Sequence, residues 1–140
     1  MASPHHRRMQ PEPGRPALLR VVVVDADDRV RESLAGLLCI GDRLCVVGSA
    51  GATGPAIDLV TATNPDIVVI DPRLPEMDGG LTLIRRIRAV APAVRILVMS
   101  GADAADQADL ARSADGFVRK TFRPRDLVAA VIAAAVPLAG

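Results

Sequence analysis

Four residues of this chain are spaced to do chemistry together: Asp25, Asp71, Ser100 and Lys120. Each follows a short apolar run. Val21-Val22-Val23-Val24 leads into Asp25, Ile67-Val68-Val69-Ile70 into Asp71, Ile96-Leu97-Val98-Met99 into Ser100, and Gly116-Phe117-Val118-Arg119 into Lys120. Apolar runs without polar alternation read as strands buried on both faces of a parallel sheet. Parallel strands leave such a sheet on one edge, where open α/β sheets bind their ligands, so the four polar ends converge there. Carboxylates brought that close repel each other and demand a cation. Mg²⁺ is commonly held by one or two carboxylates together with phosphate oxygens and water. A hydroxyl and an ammonium facing them suit the oxygens of a phosphoryl group. The set reads as phosphoryl transfer onto a carboxylate, with Asp71 as the nucleophile. Taken singly, Asp71 reads equally well as a turn residue, Ser100 as a strand-end hydroxyl and Lys120 as a surface charge. Yet Lys120 is the only lysine among 17 Lys and Arg. It falls where a compact point charge is wanted and an arginine fork is no equal.

The elements that must position these groups alternate. Strands are expected at 20–25, 44–50, 67–71, 95–100 and 116–119. A helix follows Asp28, which is placed to cap it, and carries Val30, Leu34, Leu37 and Leu38 at helical spacing as far as Gly41. A second helix runs to Thr63. A third spans Gly80 to Val90, with Leu81, Ile84, Ile87 and Val90 facing inward, and a weakly amphipathic fourth runs from Asp103 to Arg112. Pro124 suits the first turn of a fifth helix, carrying Leu127, Val128, Val131 and Ile132. Strict alternation means a parallel sheet with right-handed crossovers. The glycines 48, 51 and 54 invite a nucleotide reading, but G-x-x-G-x-x-G is not the G-x-G-x-x-G fingerprint, and no Walker-type GK[ST] is present. That stretch reads as a loop with helix-start chemistry.

Composition narrows the class. The 140 residues are 50% hydrophobic, enough for one domain with a real core. The net charge of +1 supplies no field for nucleic acid or a membrane surface, and Trp and Tyr are absent, so bases find no stacking platform. Cys39 and Cys45 have no histidine near them, which is no metal pattern and suits a reduced, cytoplasmic protein. Residues 1–18, rich in Pro and Arg, read as a disordered arm, with His5-His6-Arg7-Arg8 as a solvated patch. Residues 19–136 form the expected domain and 137–140 a short tail.

The runs ending in Asp25, Asp71, Ser100 and Lys120, together with Leu74-Pro75-Glu76-Met77-Asp78-Gly79-Gly80, resemble the receiver domain of bacterial two-component response regulators, most of all the receiver half of NarL/LuxR-type regulators. The resemblance implies a flavodoxin-like (βα)5 doubly wound sheet of strand order 2-1-3-4-5. It implies phosphorylation of Asp71 by a sensor histidine kinase or phosphotransfer protein, with Lys120 and Ser100 as catalytic groups and Ser100 and Phe117 moving together as the switch. It implies Mg²⁺ on Asp25, Asp71 and the backbone carbonyl of Arg73, with Asp27 as a further candidate ligand. The chain departs from the pattern at three places. Ala26 stands where a second carboxylate is usual, which implies weak Mg²⁺ binding. Pro72 follows Asp71 directly and removes an N–H beside the site. The segment between Ser100 and Gly116 is about two residues short. No DNA-binding element or basic patch follows Val136. The expectation is a stand-alone receiver, or a fragment of a regulator, that signals by protein contact, with a homodimer open and no DNA or membrane bound directly. It is a phosphoacceptor rather than an enzyme, beyond intrinsic autophosphorylation and dephosphorylation. The alternatives are a receiver-like interaction module that works without phosphate and, more distantly, a small nucleotide-using enzyme.

Overall fold

The structure, a computed structural model, describes residues 18–75, 78–101, 107–120 and 123–136. Five strands and five helices alternate: β1 (Leu19–Val24), α1 (Asp28–Leu38), β2 (Leu44–Ala50), α2 (Thr53–Thr63), β3 (Ile67–Ile70), α3 (Gly79–Val90), β4 (Arg95–Ser100), α4 (Ala108–Ser113), β5 (Gly116–Arg119) and α5 (Pro124–Ala135). All strands are parallel and lie in the order β2-β1-β3-β4-β5. This is the doubly wound (βα)5, flavodoxin-like architecture that the sequence predicts. The arm, its histidines, Glu76, Met77, Asp103 and the tail lie outside the described residues.

The apolar runs sit where their composition demands. Val21 to Val24 and Ile67 to Ile70 are all fully buried, and each such side chain contributes roughly 1.5–3 kcal/mol by leaving water. Alternate residues serve two cores. Val22, Val24, Val68, Ile70, Ile96 and Val98 pack with α2 and α3. Val21, Val23, Ile67, Val69, Leu97 and Met99 pack with α1 and α5. The sheet is therefore covered on both sides, its central strands sealed and its edge strands β2 and β5 half-buried.

Several local expectations are corrected. Asp27, not Asp28, caps α1: its backbone is extended and its Oδ1 accepts from Arg29 N at 2.8 Å and Val30 N at 3.3 Å. Asp28 is already helical and pairs with Arg31 one turn on. The helix ends at Leu38, short of Gly41, with Cys39 as its cap. In α3 the buried residues are Leu83, Ile84 and Ile87, whereas Leu81 is half-buried and Val90 is 53% exposed. The stripe runs 80-83-84-87, the other reading of an i, i+3, i+4 pattern that shares Ile84 and Ile87. Of the fourth helix, Ala108–Ser113 is described.

Gly48 and Gly51 act by close approach, whereas Gly54, in the first turn of α2, has open space around it. A Cβ on Gly48 would lie 2.7 Å from Leu59 Cδ1, beside the register shift where β2 bulges against β1. A Cβ on Gly51 would lie 2.7 Å from Arg31 Nη1. Gly80 meets the loop after β3 in the same way: an added Cβ would sit 2.8 Å from Pro72 Cβ and 3.2 Å from Leu110 Cδ2. Pro72 is thus packed into the start of α3. Gly80→Ala is expected to lower stability by about 1–2 kcal/mol in urea unfolding, because the overpacking cost exceeds the helix-propensity gain of up to ~1 kcal/mol. An unchanged or raised midpoint would show that the two backbones have room to part.

Candidate functional site

The register of the sheet builds the site. Val24 pairs with Ile70, and the ladders run one rung further: Asp71 N donates to Val24 O at 2.9 Å and Asp25 N to Ala50 O at 3.1 Å. Lys120 N donates to Ser100 O at 2.8 Å. Backbone hydrogen bonds thus hold Asp25, Asp71 and Lys120 in place just beyond the strand ends. Asp25 is 3% exposed and Asp71 is 1% exposed.

Lys120 reaches both carboxylates. Its Nζ forms an ion pair with Asp71 Oδ2 and lies 3.3 Å from Asp25 Oδ2. It is no ordinary surface charge, since its side chain is only 21% exposed. The other oxygens are also met. Asp25 Oδ1 accepts from Asp27 N at 2.9 Å, and Asp71 Oδ1 from Arg73 N at 2.9 Å. The Arg73 guanidinium lies along the same carboxylate, Nε 3.4 Å from Oδ1 and Nη2 3.3 Å from Oδ2. A further arginine closes the rim: Arg31 Nη1 donates to Asp25 O at 2.6 Å, seated in the space that Gly51 leaves open.

The structure does not bring every predicted residue onto Asp71. Ser100 is buried at the end of β4, but the hydroxyl bond described for it goes to Gln107 Oε1 at 2.5 Å. Phe117 is half-buried against the α2–α3 core and pairs with Val98, two residues before Ser100 on the neighbouring strand. Since strand residues alternate faces, Ser100 and Phe117 share one side of the sheet. Asp27 has one carboxylate oxygen committed to the α1 cap, and Ala26 is exposed. A hollow of about 250 Å³, lined by Pro72, Asp78, Gly80, Leu81, Gln107 and Leu110, lies beside the Asp71 loop. Arg31, Gln107 and the Arg73 side chain were not visible as site residues in the sequence. Arg31 lies one turn after Asp28, a spacing that signals a surface ion pair rather than a rim contact.

Burial alone would push the Asp71 carboxyl up. The Lys120 bond, then the backbone and side-chain bonds from Arg73, outweigh it and hold the group below its ordinary value. A carboxyl so lowered stabilises the fold above its unfolded pKa of about 3.9, and the contribution is lost as the pH falls through the lower folded value. Lys120→Met leaves the burial and removes the largest opposing contact. Carboxyl ¹³C NMR should show the Asp71 midpoint moving up, with a smaller acid-dependent loss of stability. A midpoint that stays put would take Lys120 off the carboxylate.

Comparison with known proteins agrees with this fold. The family model described as "Response regulator receiver domain" matches residues 21–132. The DNA-binding transcriptional activator DevR/DosR of Mycobacterium tuberculosis is 34% identical over 116 residues, 81% of this chain and 53% of that protein. The chain spans about half the length of this relative and of the similar regulator MprA. Among solved structures, a LuxR-family two-component response regulator from Aurantimonas sp. SI85-9A1 superposes with a TM-score of 0.78 at 34% identity, over 85% of this chain and 86% of that one. The signal receiver domain of the response regulator NarL from M. tuberculosis does so with a TM-score of 0.78 at 31% identity, over 86% and 98%. With the family model covering most of the domain and these relatives aligned along it, the chain belongs to the response regulator receiver domain family.

Proposed function

We propose that Asp71 is the phosphoacceptor of a two-component phosphorelay, taking a phosphoryl group from a sensor histidine kinase or a phosphotransfer protein. The observation that carries this reading is a carboxylate 1% exposed at a sheet edge with the chain's only lysine paired to it. Such a group is a nucleophile held in place with the counter-charge for its product already beside it. An Asp71 oxygen attacks phosphorus, and the donor's bond to phosphorus breaks on the opposite side. Lys120 follows the charge to the new oxygens. Ser100 joins them by exchanging Gln107 for a phosphoryl oxygen, and Phe117, on the same sheet face, follows as the switch. The modified domain then signals by contact with a downstream protein or a second copy of itself. In this reading the domain, residues 19–136, is a phosphoacceptor and not an enzyme. It works in the cytoplasm and binds no DNA itself. No helix among the described residues is long and apolar enough to cross a membrane.

The donor set fits Mg²⁺ in kind. Two buried carboxylates offer hard oxygens, and such ions use one or two carboxylates beside phosphate oxygens and water. Asp25, Asp71 and the Arg73 carbonyl are the groups that would hold it, and when bound it neutralises phosphoryl oxygens. Asp27 is a weaker candidate because of its cap. Among the described residues no group of three or more His, Cys, Asp or Glu side chains that could hold a metal ion is present.

A second reading, an interaction module that works without phosphate, is favoured by one observation: each Asp71 oxygen already has two donors on it. The two readings part in one experiment. Acetyl phosphate with Mg²⁺ should add one phosphoryl mass to the intact protein and none to Asp71→Asn. An adduct in both proteins would place the modification elsewhere, and none in either would favour the second reading. Ala26→Asp should tighten Mg²⁺ by about 10-fold or more, by comparison with the ~10–100-fold effects of outer-shell partners. A titration with no gain would mean that Asp27 already supplies that ligand.

A further inference from the structure

Asp71 pairs with two cations at this edge, Lys120 and Arg73, and Lys120 is shared with Asp25. Lys120 is largely enclosed between the carboxylates. Arg73 is different, with its side chain 76% exposed. Its backbone N–H is fixed on Asp71 Oδ1, and its guanidinium spans both oxygens of that carboxylate as a planar fork. On the other side of the site Ala26 adds no carboxylate, and Asp27 has one of its oxygens on the α1 cap. A divalent ion would have to compete with two cations for the Asp71 oxygens.

We infer that the Arg73 guanidinium acts as the second counter-charge of the acceptor carboxylate, standing in for much of the charge of a divalent cation. This inference rests on the reading of Asp71 as phosphoacceptor. Arg73 is then the residue that sets how far the site depends on metal. Its exposed side chain moves readily, so the fork can leave the Asp71 oxygens and take up the oxygens that phosphoryl transfer places beside them. With acetyl phosphate the step balances without any other reactant. The Asp71 oxygen forms a bond to phosphorus, the bond from phosphorus to the acetyl oxygen breaks, and acetate leaves with the electron pair. The phosphoryl oxygens then have two cations to meet them, the enclosed Lys120 and the exposed Arg73. Lysine at position 73 would keep the charge and lose the fork.

Two measurements on the whole chain test this. In an NMR titration with Mg²⁺ alone, following the Asp25 and Asp71 amides, Arg73→Ala should bind about tenfold more tightly than wild type, the effect of removing one exposed unit charge a few ångströms from the ion. In acetyl phosphate labelling followed by intact mass, wild type should retain labelling when EDTA replaces Mg²⁺. Arg73→Ala should lose the EDTA labelling and keep the Mg²⁺ labelling, with Arg73→Lys between them. Equal Mg²⁺ affinity in wild type and Arg73→Ala would overturn the inference, as would equal EDTA labelling of two proteins that Mg²⁺ lets be labelled. If neither protein is labelled under any condition, the phosphoacceptor reading fails on its own. The Mg²⁺ titration, which needs no phosphoryl group, still decides the role of Arg73.

Discussion

Asp25 and Asp71 are both nearly sealed from solvent, and the Lys120 ammonium touches both. Two buried like charges side by side would each raise the cost of the other. The lysine converts that cost into an attraction, and breaking a buried pair by removing one member typically costs about 3–5 kcal/mol. The sheet order is what makes this contact available. β5 lies at the edge beyond β4, two strands from β3 and three from β1. Only a long, thin side chain starting one rung past β5 can return across that distance to both carboxylates. The strand order alone thus brings this charge arrangement together in a receiver domain.

Much of this was legible in the sequence because it rests on short-range rules. Unbroken β-branched runs can hardly be anything but doubly buried strands, and in a parallel sheet their polar ends must share one edge. What the sequence hid falls into two kinds. One is the choice between neighbours with the same chemistry. Asp27 and Asp28 both have the side chain of a helix cap, and only the extended backbone at Asp27 decides between them. Leu81 and Leu83 both complete a helical stripe with Ile84 and Ile87, and the packing of α3 against the sheet decides that pair. The other kind is the direction of long side chains. No periodicity says that Arg73 folds back on Asp71, or that Arg31, while pairing with Asp28 on its own helix, also reaches the Asp25 carbonyl. Such contacts depend on space left elsewhere in the chain, here by Gly51.

Pro72 shows how a departure from the family pattern is absorbed. Proline directly after Asp71 looks disruptive because it withholds an N–H. In the fold its ring rests where Gly80 has no side chain, and Leu110 of α4 closes over the same spot. The loop after β3, the start of α3 and the short α4 are thus in contact at one point, next to the hollow that Gln107 and Leu110 help to line. Because Ser100 bonds to Gln107, the hydroxyl at the end of β4 is tied to that cluster too.

A chain with one lysine has one side-chain amine to lose. Acylation, which in most proteins spreads over many surface lysines, here finds a single target outside the N-terminus. It would remove the charge that two carboxylates share. An ammonium clasped by both of them is also a poor nucleophile, since its nitrogen has no lone pair to offer while it donates. Reactivity toward amine reagents therefore becomes a gauge of one contact: the more often Lys120 leaves its carboxylates, the faster the molecule is labelled.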